Sequence, residues 1–282
     1  MASVSLPLRA AIELARPGNA VAAGVLTFTG AFVTGGVATG PAAVAAAVLA
    51  TVAATAGGNA INDYFDREID AVNQPDRPIP RGAITARGAL GVSVACFGIA
   101  TVAALTLPLV AIGIAVVNLL ALIAYTEWFK GRPLVGNILV AYLTGSAFLF
   151  GGAALGEPLG AGVLFLLAAV ATLTREIVKD VEDITGDRQE GLRTFPIVVG
   201  RKPALWVGVA VITVAVAASA LPYLDDTFGL SYLIVVVPAD AVMLWAALRS
   251  FRDPTASQRW LKRGMFLATA AFVVGRAAVV LG

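Results

Sequence analysis

Two segments of this sequence place carboxylates at one repeated spacing, and both are bordered by Lys and Arg. The first reads Asn62-Asp63-x-x-Asp66-x-x-x-Asp70 and continues through Asp76-Arg77-Pro78-Ile-Pro80-Arg81. The second reads Lys179-Asp180-x-x-Asp183-x-x-x-Asp187-Arg188 and continues through Gly191-Leu-Arg193-Thr-Phe-Pro196. Residues three and four apart share a helical face. Asn62, Asp66 and Asp70 therefore form one stripe and Asp180, Asp183 and Asp187 another, with Gly186 expected to break the second helix before its last carboxylate. Like charges on one stripe repel and call for a compensating cation. Oxygen-rich sites of this kind suit Mg²⁺, a hard ion that keeps water ligands and is often completed by substrate phosphates. Two such stripes, face to face, could hold Mg²⁺ between the protein and a diphosphate. The candidate metal ligands are Asn62, Asp63, Asp66, Asp70, Asp180, Asp183 and Asp187.

The cations near these segments fit the same chemistry. Arg77, Arg81, Lys130, Lys179, Arg188 and Arg193 can neutralise a departing diphosphate, arginine being suited to bidentate contact with oxygens. Taken singly, each could equally mark membrane orientation. The chain has no histidine, so acid–base or metal chemistry falls to carboxylates, Lys, Arg, Tyr or backbone. Its one cysteine, Cys96, forms no internal disulfide and reads as a small buried or lipid-facing side chain. A net charge of +2 gives no reason to expect a nucleic-acid partner.

The elements that position these groups belong in a membrane. Hydrophobic residues make up 59% of the 282 and charged residues only 13%, against about a quarter charged in soluble proteins. A helix crossing the hydrocarbon needs about 20 mostly apolar residues. That ruler finds nine spans, roughly 17–36, 41–62, 88–107, 109–127, 134–154, 160–178, 203–222, 230–248 and 263–281. The expected fold is all-α: one membrane domain over 1–282, its helices around a central cavity, with the loops after spans 2 and 6 folded as a cap. No removable signal peptide is expected at the N-terminus. Residues 6–15 read as a short amphipathic helix at the interface, with Arg9, Glu13 and Arg16 on its wet side. With a cytoplasmic N-terminus, all of the 20 Lys and Arg except Arg276 fall on the cytoplasmic side. Both acidic segments lie there too, in a multi-pass protein of the cell membrane.

These motifs resemble the UbiA-type family of intramembrane prenyltransferases. Asn62-Asp63-x-x-Asp66-x-x-x-Asp70, followed by Asn73-Gln-Pro75-Asp76-Arg77-Pro78, is similar to the family's first aspartate-rich motif, and the segment from Lys179 to Pro196 to its second. Arg16-Pro17-x-Asn19 and Tyr125 with Lys130 also resemble family positions, although Tyr125 and Lys130 are five apart where four is commoner. The resemblance implies Mg²⁺-dependent transfer of an isoprenyl group from its diphosphate to an acceptor. It implies Asp66, Asp183, Lys130 and Arg77 as catalytic residues. Asn62, Lys130, Arg77, Arg81, Lys179, Arg193, Asn19 and Tyr125 would bind diphosphate or phosphate. Within the family, Arg175 to Asp183 and Glu190-Gly191-Leu-Arg193-Thr look most like the archaeal digeranylgeranylglyceryl phosphate synthases, which implies an isoprenyl diphosphate donor and a lipid-phosphate acceptor. An aromatic acid or a chlorophyll-type carboxylate is the alternative acceptor.

A secondary transporter is the competing class, since spans 2 and 6 echo each other in parallel. Transporter sites, however, sit near the bilayer midplane, whereas these carboxylates lie at one rim. Asp240 falls within span 8, where an ionised carboxylate is expensive. It is expected either to meet Arg276 or to face a polar cavity. Asn118 and Asn137 are expected to bond neighbouring helices or line the cavity.

Overall fold

A computed structural model describes residues 6–281, and the regular structure in them is helical throughout. A short helix α1 (Leu6–Ala15) precedes α2 (Pro17–Thr34) and α3 (Pro41–Phe65), which is followed by a seven-residue α4 (Arg67–Asn73). Then come α5 (Ala86–Ala104), α6 (Leu109–Ala124), α7 (Val135–Ala153) and α8 (Gly162–Gln189). The remainder is α9 (Phe195–Val199), α10 (Arg201–Ala218), α11 (Leu221–Leu224), α12 (Leu230–Arg249) and α13 (Pro254–Leu281).

Among the described residues, eight helices are long and apolar enough to cross a membrane. They correspond to every expected span except the first. At that place stands α2, an 18-residue helix packed between α3 and α7. It opens on Pro17-Gly18-Asn19 and carries Thr27, Thr29 and Thr34, which lower its hydropathy. Prolines open the helix at its first residue in α2, α3 and α13, where a missing N–H costs nothing.

Two glycines let α2 and α7 touch backbone to backbone. A Cβ on Gly30 would lie 2.0 Å from the Phe148 carbonyl oxygen, and one on Gly151 would lie 1.9 Å from that of Thr27. Where helices associate in lipid, such small residues replace the hydrophobic drive with close packing. On the far side, α8, α10, α12 and α13 share a core of Ile177, Leu205, Ile212, Met243 and Leu261.

The short α1 docks on the protein through Leu14, fully buried against Ala60 and Ala89, with Ile79 and Ile84 of the following loop around it. Arg9 and Glu13 remain exposed, as an interfacial helix requires, while Leu8 and Ile12 also face outward.

The second acidic helix departs from expectation. Helix α8 runs 28 residues without a break through Gly186. It ends instead at Gly191, whose φ of 72° is left-handed. There the Leu192 N–H donates to the Asp187 carbonyl at 2.8 Å and the Gly191 N–H to that of Arg188 at 3.2 Å. This is the paired bonding that closes a helix on a left-handed residue. Asp180, Asp183 and Asp187 consequently share one unbroken helix.

Candidate active site

The connection from α6 to α7 ties the two acidic segments together. Helix α6 ends in a π turn, Tyr125–Phe129, closed by the Lys130 N–H donating to the Tyr125 carbonyl at 2.7 Å. A π turn holds one residue more than an α turn, which accounts for the five-residue step from Tyr125 to Lys130. Lys130 Nζ lies 3.7 Å from the Asp66 carboxylate. Its neighbour Gly131 accepts the Arg193 N–H at 3.1 Å and carries Leu192 against it. One short segment thus touches Asp66 on one side and the loop after Asp187 on the other. Both acidic segments sit at the same end of the bundle.

The first segment divides its labour. Helix α3 stops at Phe65 and Asp66 forms the joint to α4, so the expected single stripe is interrupted. Asp70 turns to Arg77, whose Nη1 lies 2.5 Å from it and 3.3 Å from Asp63. Arg16, at a left-handed φ of 46° between α1 and α2, also donates to Asp63. Asp63 and Asp70 are both buried. Arg81 pairs with Glu13 and donates to the Asp76 carbonyl at 2.7 Å. Arg77 and Arg81 therefore fasten the loop after α4 to α1 and α3. With Arg16, Asp63 and Gln74 they border a polar hollow of about 530 Å³.

The remaining carboxylates are more open. Asp66 is 37% exposed and Asp183 is 41% exposed. Lys179 Nζ donates to Asp183 at 2.7 Å, and the Asn137 amide donates to Asp180 at 2.9 Å. No group of three or more carboxylates among the described residues is gathered closely enough to hold a metal by itself.

A cavity of about 850 Å³ lies between the helices. Asn19, Asn59, Asn62, Tyr125, Arg175, Glu176 and Lys262 give it a polar lining near the acidic segments, and Asn118 and Asp240 add polar groups elsewhere in the wall. Asp66 is one helical turn beyond Asn62, and Asp180 one turn beyond Glu176. The acidic segments thus stand just outside these wall residues. Leu26, Phe97, Leu119, Phe150, Leu164 and Phe272 make the rest of the wall mostly apolar.

Other expectations resolve singly. Asp240 lines this cavity and accepts a hydrogen bond from Ser219 Oγ at 2.6 Å. Arg276 instead lies against Gly35, and among the described residues no ion pair joins it to Asp240. Asn118 both lines the cavity and accepts from Ser146 at 2.9 Å. Cys96 is half-buried and packs against Gly57. Sequence reasoning did not single out Asn59, Arg175, Glu176 or Lys262 as site residues. Asn59 and Glu176 had a legible signal, falling three residues before Asn62 and four before Asp180.

The sequence profile of the UbiA prenyltransferase family matches residues 23–270, most of the chain. The chain belongs to the UbiA prenyltransferase family. Membership in this UbiA family makes it an enzyme of the prenyltransferase class and removes the transporter alternative. It is 63% identical over 274 residues to digeranylgeranylglyceryl phosphate synthase of Natronomonas pharaonis, covering 97% of this chain and 99% of that one. It is 40% identical to the protein of the same name from Thermococcus kodakarensis, covering 95% and 98%. A solved structure of digeranylgeranylglyceryl phosphate synthase superposes with a TM-score of 0.84 at 33% identity, covering 96% of this chain and 99% of that one. A UbiA homologue from Archaeoglobus fulgidus, solved with GPP and Mg²⁺, shares the fold with a TM-score of 0.65 at 18% identity, covering 97% and 100%.

Proposed function

We propose that this UbiA-family enzyme transfers a geranylgeranyl group from geranylgeranyl diphosphate to the glycerol hydroxyl of geranylgeranylglyceryl phosphate, a step in archaeal ether-lipid synthesis. Relatives of that name cover nearly the whole chain. The observation that carries the reading is the segment 125–134, joined to both acidic motifs at the polar end of a long apolar cavity. Such a cavity suits an amphiphile with a charged head and an isoprenoid tail. We place this end of the bundle on the cytoplasmic face, following the Lys and Arg distribution.

In this reading Lys130, Lys179 and Arg193 stabilise the negative charge that develops as the allylic carbon–oxygen bond opens and its electron pair passes to the diphosphate. Tyr125, Asn19 and Asn62 orient the head group from the wall. Arg77 and Arg81 act by holding the loop over α1 and α3. The apolar wall excludes water from the allylic cation until the acceptor oxygen attacks its terminal carbon. The hydroxyl proton leaves after the new ether bond has formed, so no strong base is required.

The donor set fits Mg²⁺. Asp66 and Asp183 are open carboxylates, with Asn62, Asp180 and Asp187 beside them, and Mg²⁺ commonly takes only one or two protein carboxylates plus substrate phosphates. Asp63 and Asp70 belong less to this set, because arginines already occupy them. When bound, the ion would supply Lewis-acid stabilisation of the leaving group.

A panel of acceptors offered with geranylgeranyl diphosphate, products resolved by mass, tests the reading. Digeranylgeranylglyceryl phosphate as the dominant product is expected. Prenylation of an aromatic acid in preference to the glyceryl lipid would replace it with the alternative acceptor class.

A further inference from the structure

A second polar rung stands beside the carboxylates, between α8 and α13. Arg175 and Glu176 on α8 and Lys262 on α13 all line the cavity. Arg175 precedes Lys179 by four residues, which sets it about 6 Å further into the bundle. Its Nη1 donates to Glu176 at 2.5 Å and its Nη2 reaches Gln258 at 3.3 Å, while its Nε is buried without a hydrogen-bond partner. A guanidinium carries five N–H donors, so Nη1 and Nη2 each keep a second N–H for a further acceptor. Lys262 follows Gln258 by one helical turn, and among the described residues no carboxylate pairs with it. Two cations and one carboxylate therefore line this part of the wall, leaving it a net positive charge.

Below the rung, the same face of α13 turns apolar. Met265, Phe266, Thr269 and Phe272 follow Lys262 at helical spacing, and each lines the cavity. Orientation alone asks for a Lys at this end of α13; it does not ask for one in the cavity wall, at the head of an apolar stripe. The arrangement matches a lipid with an anionic head and a hydrocarbon tail. It lies on a different helix pair from Asp66 and Lys130.

We propose that Arg175 and Lys262 bind the phosphate of the lipid acceptor and that the acceptor's chain lies along α13. This rests on the transferase reading above. Arg175 offers the remaining N–H groups of Nη1 and Nη2 to a phosphate oxygen, and Lys262 provides the charge that outweighs Glu176. The rung, one helical turn inward from Lys179, keeps the glycerol beside the donor's head.

The test uses the purified full chain in lipid, with geranylgeranyl diphosphate as donor. The acceptors are geranylgeranylglyceryl phosphate and its dephosphorylated form. Charge-assisted contacts of this type lead us to expect that Lys262→Gln raises KM for the phosphorylated acceptor at least about tenfold and collapses the preference for it, while KM for the donor holds. Lys262→Arg should retain most of the affinity. In the unaltered protein, glycerol phosphate should inhibit competitively against the acceptor. An unchanged acceptor KM in Lys262→Gln, or competition by glycerol phosphate against the donor alone, overturns this proposal and leaves the transferase reading intact. Failure of the unaltered enzyme to prenylate either glyceryl acceptor overturns both.

Discussion

Lys130 Nζ stands 3.7 Å from the Asp66 carboxylate, bringing a cation from the α6–α7 connection to the joint between α3 and α4. Both side chains keep substantial exposure, 52% for Lys130 and 37% for Asp66, so the contact is worth little to stability by itself. Its value lies in position. The pair holds a carboxylate and a cation side by side, a turn beyond the cavity wall, where the proposed diphosphate and metal would lie.

Replacing Lys130 by Met should therefore leave the fold intact and raise KM for the donor by about tenfold or more, the scale of one charge-assisted contact. Steady-state kinetics with the donor varied, alongside a thermal unfolding curve, measures both effects. An unaltered KM would assign Lys130 to membrane orientation alone.

Asp66→Asn and Asp183→Asn should each reduce transfer by roughly a hundredfold or more, as expected when charge stabilisation at a leaving group is lost. Helical content should stay at the level of the parent protein, because both carboxylates are open. Chelation of divalent ions should stop the reaction, and added Mg²⁺ should restore it. Retention of normal rates in either variant would count against the paired-segment mechanism.

Arg77 calls for the opposite signature. Its side chain satisfies Asp63 and Asp70, both buried. Arg77→Met strands Asp70, while Asp63 keeps Arg16, and should cost about 2 kcal/mol or more of stability, the lower part of the range for broken buried pairs because Arg77 itself is partly exposed. Adding Asp70→Asn should recover part of the loss in thermal unfolding. A stable single variant with only a kinetic defect would return Arg77 to direct contact with the diphosphate.

Gly151→Val probes the helix frame. The first added carbon would meet the Thr27 carbonyl at 1.9 Å, well inside contact distance, and α7 would have to move away from α2. A loss of at least about 1–3 kcal/mol follows from overpacking of this kind. A neighbouring Gly162→Ala, where nothing crowds the new carbon, should show a much smaller change in the melting temperature.

The sequence made some of this legible and hid the rest for physical reasons. Membrane helices declare themselves through long apolar runs, so nine spans are expected; among the described residues eight helices are long and apolar enough, and α2, at the place of the first, is made less apolar by Asn19 and its threonines. The spacing shared by Asp63, Asp66 and Asp70 with Asp180, Asp183 and Asp187 marked the two segments that Lys130 and Gly131 bring to one end. Spacing did not reveal that Asp66 breaks the first helix and sends Asp70 to Arg77, because that depends on a loop folding back. Nor did it distinguish Gly186 from Gly191, since only the backbone conformation shows which glycine closes the helix. Arg175 and Lys262 were not marked as site residues because their shared cavity joins residues far apart in the chain.

A structure of this protein with Mg²⁺ and a non-reactive thio analogue of geranylgeranyl diphosphate tests the central claim most directly. One diphosphate should be held between Asn62 and Asp66 on one side and Asp180 and Asp183 on the other, with Lys130 against its oxygens and the tail in the apolar cavity. A diphosphate lodged in the Arg16–Arg77 hollow, or touching only one acidic segment, would contradict it.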